Sequence, residues 1–170
     1  MAKNTQNMTP RQILEQKQRA GRSNLLLAIV LTIVNIVMLL GGSDSMLLFS
    51  ISVPYYAVIF GVIFETQELF ITGCVIAAVV LVVYLLCWIM SKKHIGWLVA
   101  ALVLMCIDTL ALIAFYLLAG EISGVVDFVF HALIIYYLGS GISSAKKLQA
   151  MPAEPVTVEE EQKPICNPEF

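Results

Sequence analysis

Residues 46–64 read MLLFSISVPYYAVIFGVIF, and whether this run crosses a bilayer decides the architecture of the chain. Its length approaches the roughly 20 apolar residues that a transmembrane helix needs. Pro54 stands in its middle, where a proline removes a hydrogen-bond donor and clashes with the preceding turn. Four other runs are apolar: residues 25–40 (LLLAIVLTIVNIVMLL), 69–90, 97–118 and about 125–144. Counting all five as spans is the simplest reading, and the charges argue against it.

The Lys and Arg residues are Lys3, Arg11, Lys17, Arg19 and Arg22 before the first run, Lys92 and Lys93 between the second and third long runs, and Lys146, Lys147 and Lys163 after the last. The alternate gaps hold acids instead: Asp44, Glu65, Glu68, Glu121 and Asp127. Cytoplasmic loops of membrane proteins collect Lys and Arg. Four crossings put every basic residue on one side. A fifth would place Lys92 and Lys93, or the basic N-terminus, outside. The expected fold is therefore an all-α membrane protein, a four-transmembrane-helix bundle with both termini cytoplasmic. Residues 46–64 then enter and leave from the outer side as a re-entrant or interfacial broken hairpin. Backbone that is not helical at such depth must pack on protein or line a wet cavity.

Composition agrees with this class. The chain is 59% hydrophobic and only 13% charged, against about half and a quarter in soluble domains. The net charge of −2 divides by side and gives no support to nucleic-acid binding. Residues 1–24 form a basic leader. Thr9-Pro10-Arg11-Gln12 reads there as a cap, a first-turn proline and a capping-box glutamine. Gly21 is expected to close that short helix, Ser23 and Asn24 to cap the first span, and Gly41-Gly42 to end it. Residues 25–147 are the membrane domain. Residues 148–170, with four prolines and Glu159-Glu160-Glu161, read as a disordered acidic cytoplasmic tail. Gly73 with Ala77, and Gly139 with Ser143, are small-xxx-small pairs that would let helices approach closely.

Asp108 is the residue that most needs an explanation, because it falls near the centre of the third span. A carboxylate there costs roughly 2.5–3.5 kcal/mol on insertion scales, so it should face the bundle and find a partner. Measured from the outer span ends, Asp108 lies roughly 15 Å deep and His131 only about 7–8 Å. Tyr136 shares the depth of Asp108, so Tyr136, Tyr137 or the neighbouring Thr109 is the expected partner. Asn35 and Cys74 share the depth of His131, which predicts a polar layer of Asn35, Cys74 and His131 beneath Pro54. Asp108, Tyr136, His131, Asn35 and Cys74 are thus the candidate intramembrane polar site. A His with a Cys suggests a nucleophile or a metal site, but two ligand types without a motif favour polar packing.

Other signals are missing. Cys74, Cys87, Cys106 and Cys166 include no CxxC pair, and HExxH, GxSxG and GxxxxGK[ST] are absent. No catalytic residue, cofactor or metal is expected, and the chain reads as no enzyme. No acid stands in the first span, where small four-helix drug exporters carry one. The segments GRSNLLLAIVLTIVNIVMLL and LFSISVPYY give the chain a texture that resembles small uncharacterised four-span membrane proteins of Gram-positive anaerobic bacteria. That resemblance implies a location in the cell membrane and carries over no activity or site residue. The functional expectation is an interaction or accessory subunit, working in the lipid bilayer with a partner membrane protein or as a homo-oligomer. The alternative is a small proton- or cation-coupled transporter or channel that uses Asp108.

Overall fold

A computed structural model describes residues 8–43, 50–119 and 125–152. It has five helices among these residues: α1 (Pro10–Leu40), α2 (Ser52–Ile63), α3 (Gln67–Met90), α4 (Ile95–Ala119) and α5 (Val125–Ala150). Four of them, α1, α3, α4 and α5, are long and apolar enough to cross a membrane. The fold is an all-α, four-span bundle with one short apolar helix set into it, as the charge pattern requires. Residues 148–150, expected to begin the disordered tail, instead form the last turn of α5. Residues 1–7 and 153–170 lie outside the described residues, as do Asp44 and Glu121.

α1 begins as expected. Thr9 Oγ1 accepts from the Gln12 N–H at 3.3 Å, and Gln12 Oε1 accepts from the Thr9 N–H at 3.0 Å, with Pro10 opening the helix. The leader and first span are then one continuous helix rather than two. Gly21 does not end it, and Ser23 and Asn24 lie within it instead of capping it. Gly21 is needed for another reason. A Cβ there would lie 2.8 Å from the Tyr137 carbonyl oxygen, because α1 and α5 cross with their backbones nearly touching at Gly21 and Gly141. α1 stops at the predicted Gly41-Gly42 pair. Gly42 takes φ +75°, its N–H donates to Leu39 O, and the Ser43 N–H reaches back to Met38 O. These are the paired bonds of a Schellman cap with glycine in the left-handed position.

Within the run at 46–64, the described residues from 50 onward hold a half-helix whose start is buried in the bundle. The Ile51 N–H bonds Thr32 Oγ1 at 2.7 Å, so the chain that left α1 at Leu40 has returned about 12 Å along that helix. From there α2 runs back outward for about 18 Å and turns at Phe64–Thr66 into α3. Pro54 does not break the segment. It occupies the first turn of α2, where its missing N–H leaves nothing unpaired.

α2 packs chiefly on α3, and α1 on α5. At the α2–α3 crossing, a Cβ on Gly73 would overlap the Ala57 carbonyl, and one on Gly61 would overlap the Phe70 backbone. Gly73 and the buried Ala77 therefore work as a small-residue contact. Gly139 and Ser143 do not, since nothing lies within 4 Å of a Cβ at Gly139 and Ser143 is exposed. The close approach on α5 belongs to Gly141 instead. The core joins Leu25, Ala28, Ile29, Ile51, Tyr84, Leu98, Met105, Ile134 and Leu138. Exposed apolar side chains such as Val75, Val79, Val82 and Leu86 of α3 form the outer wall that meets lipid. Basic residues gather at one end, where Arg22 Nε donates to Ser91 Oγ at 3.0 Å and ties α1 to the α3–α4 turn.

Candidate functional site: a polar clamp at the buried start of α2

An α-helix leaves its first four N–H groups without intrahelical partners. For α2 these positions are Ile51, Ser52, Val53 and Pro54, and the N-cap Ile51 has no polar side chain to offer. Each donor is met from another helix. Thr32 Oγ1 of α1 accepts from Ile51 at 2.7 Å. Asp108 of α4 accepts from Ser52 on Oδ2 at 2.9 Å and from Val53 on Oδ1 at 2.8 Å. Pro54 has no N–H to satisfy. A carboxylate beside a helix start is also favoured by the helix dipole. Asp108 is 3% exposed and supplies in trans the cap that the sequence of α2 lacks.

His131 of α5 closes the cluster. Its Nε2 lies 3.0 Å from Asp108 Oδ2 and 3.2 Å from Ser52 Oγ, and its Nδ1 lies 2.8 Å from the Asp127 carbonyl. A carbonyl only accepts, so Nδ1 carries a hydrogen, an assignment that follows from the hydrogen-bond network. In a nucleophilic triad the imidazole meets the hydroxyl with one nitrogen and the carboxylate with the other. Here both face Nε2, so Ser52, His131 and Asp108 are not arranged as such a relay. The network extends to Tyr116, whose hydroxyl donates to Asp127 Oδ2 at 2.9 Å.

The structure rearranges the expected polar site. Asp108 and His131, expected at different depths, are in direct contact. Ala119 lies about 17 Å of helix beyond Asp108, whereas Val125 lies about 9 Å before His131. The two helix ends are thus staggered by about 8 Å, while the depth estimate had set them level. Leu118, 90% exposed, marks the protruding end of α4. Tyr136 is 67% exposed on the outer wall and is no partner of Asp108. Thr109 donates to Met105 O in its own helix. Asn35 is buried on α1, and Cys74 is half-buried on α3. The contacts of His131 run instead to Asp108, Ser52 and the Asp127 carbonyl.

Thr32, Ser52 and Asp127 complete the cluster and were not singled out from sequence. A readable signal did exist. Asp108 continues the buried stripe Leu98, Ala101, Met105 and Leu112, and His131 opens the stripe Ile134, Leu138 and Ile142. Both polar residues thus fall on the inward faces of their helices.

Two further features border the clamp. Tyr84, 2% exposed, has a hydroxyl with no hydrogen-bond partner among the described residues. An open groove of about 310 Å³ runs between α2, α3 and α4 past Val53, Tyr56, Phe60 and Phe115. Ser52 lines it, whereas Asp108 and His131 do not. Tyr56 stacks on Phe115 at 4.2 Å between ring centroids, fastening the outer half of α2 to α4. No family model matches the chain, and comparison with the curated proteins and with the solved structures finds no significant similarity.

Proposed function

We propose that this multi-pass membrane protein is a non-enzymatic interaction or accessory subunit of the cell membrane, its basic end and both termini in the cytoplasm. The observation that carries the reading is the engagement of Asp108. Both of its oxygens accept backbone N–H groups of α2, and Oδ2 also meets His131. An intramembrane acid is a functional candidate by default, but this carboxylate serves as the cap of a re-entrant helix. Its geometry holds α2 at a defined height, presenting the α2–α3 hairpin to a partner membrane protein or to a second copy of the chain. The cytoplasmic placement of the basic end rests on the distribution of Lys and Arg.

The test is purification of the tagged full-length chain from its native membrane, with reconstitution of the same preparation into dye-loaded vesicles. Elution in a fixed stoichiometry with a partner, and vesicles no leakier to protons or alkali cations than empty ones, are the expected results. An ion flux abolished by Asp108→Asn would overturn the reading.

A second reading, a small proton- or cation-coupled transporter, is favoured by Tyr84. A buried phenol without a partner among the described residues is costly, and a hydrated proton or cation would satisfy it. Under that reading Tyr84→Phe lowers the flux; under the first there is no flux to lower.

A further inference from the structure

We propose that the cleft at the basic end, between α1, the α3–α4 turn and α5, binds the phosphate headgroup of an anionic membrane lipid. Two adjoining hollows of about 360 and 230 Å³ meet there, sharing Gln18, Lys92 and Leu148. Their lining carries the cations Arg11, Arg19, Arg22, Lys92 and Lys93 against one carboxylate, Glu15. Glu15 is already shared between Arg11 at 3.6 Å and Arg19 at 3.8 Å. Arg22 and Lys92 have no acidic partner among the described residues.

The floor of the cleft is held in place. The Ser91 hydroxyl donates to Trp88 O at 2.7 Å and accepts from Arg22 Nε at 3.0 Å. The Arg22 guanidinium carbon lies 6.0 Å from the centroid of the Trp88 ring, and Lys92 Nζ lies 5.5 Å from the same centroid. Two cations gathered on one indole repel each other, and an anion near both removes that cost. Arginine suits this role because its planar fork matches phosphate oxygens and retains donors beyond Nε.

Location selects the source of the phosphate. Trp88 lies in the last turn of α3, and Arg22 one turn before the buried Leu25. Tryptophan at a span end marks the headgroup level of the bilayer. The lining includes the apolar Leu148 and Ile95, which suit the glycerol and ester region of a lipid better than a free anion. Basic pockets between helices on the cytoplasmic side are recognised lipid-headgroup sites.

The test is native mass spectrometry of the full-length protein released from phosphatidylcholine nanodiscs containing some phosphatidylglycerol. Wild type should retain phosphatidylglycerol in preference to phosphatidylcholine. The double variant Arg22→Gln/Lys92→Gln should bind it roughly 25-fold more weakly, and Lys92→Gln, which leaves the Arg22–Ser91 bond intact, roughly 5-fold. Lys146→Gln/Lys147→Gln removes the same charge from exposed sites outside the lining and should change little. Equal losses in the two double variants would overturn the proposal in favour of a diffuse surface attraction. Retention unaffected by any variant would also overturn it. Glycerol phosphate binding as tightly as the lipid would reassign the cleft to a soluble anion. Lipid binding that appears only after deletion of residues 153–170 would reassign it to the chain's own acidic segment.

Discussion

Val53 donates its backbone N–H to Asp108 Oδ1 at 2.8 Å, a bond between residues 55 positions apart that caps one helix with a side chain from another. The Ser52 N–H meets Oδ2 of the same carboxylate at 2.9 Å. An amide cannot reproduce this pair, because its nitrogen would face a donor. Asp108→Asn should therefore destabilise the fold by about 1–2 kcal/mol, whereas it would be neutral if the partner were a tyrosine hydroxyl. Asp108→Leu abandons both N–H groups and His131 and should cost about 2–4 kcal/mol. Reversible unfolding in mixed micelles measures both. An Asn variant as stable as wild type would contradict the clamp.

Thr32 has two roles that one substitution separates. Its hydroxyl donates to Ala28 O and accepts from the Ile51 N–H, both at 2.7 Å. Thr32→Val keeps the shape and strands the buried Ile51 N–H, at a cost of about 1–2 kcal/mol. Thr32→Ser should stay near wild type. Hydrogen exchange at Ile51, faster in the Val variant alone, reports the effect at its source.

Glycines of α2 and α3 should respond differently from those that face open space. Gly73→Ala and Gly61→Ala drive a methyl group into the backbones of Ala57 and Phe70. Neither backbone can yield without parting the helices, so each should cost at least about 1–3 kcal/mol. Gly139→Ala meets nothing within 4 Å and should be neutral or slightly stabilising through helix propensity. The melting temperatures of the three variants rank the effects directly.

Tyr84→Phe removes a buried hydroxyl that has no partner among the described residues. Unlike most deletions from a packed core, it should leave stability unchanged or raise it by about 1 kcal/mol. A loss of more than about 2 kcal/mol in the same micelle assay would mean that the phenol has a partner in the membrane.

Orientation can be read by thiol labelling after the native cysteines are replaced. Glu65→Cys should react with an impermeant reagent applied to intact cells, and Lys92→Cys only after permeabilisation. The reverse pattern would invert the protein in the membrane and move the basic cleft to the outer leaflet.

The polar cluster shows how far sequence reading reached. Asp108 and His131 were visible as ionisable residues inside apolar spans, and burial confirms both as interior. Their contact was not visible, because depth had to be counted from span ends assumed level, and α4 outreaches α5 by about 8 Å. Gly21 illustrates the same limit. Its sequence neighbourhood suits a helix end, but the backbone of α5 at Tyr137 requires the glycine while α1 runs on.

The amino-acid sequence by itself determined four spans, the gathering of the described basic residues at one end, the cap at Thr9 and the stop at Gly41-Gly42. These follow from apolar run length, charge distribution and local backbone chemistry, each decided within a few tens of residues. Only the tertiary structure decided that Pro54 opens a half-helix, that Thr32 and Asp108 cap it, and that His131 completes the clamp. Such contacts join residues 19 to 79 positions apart. They depend on helix stagger and rotation, which packing at Gly21, Gly61, Gly73 and Gly141 sets and which no local pattern encodes.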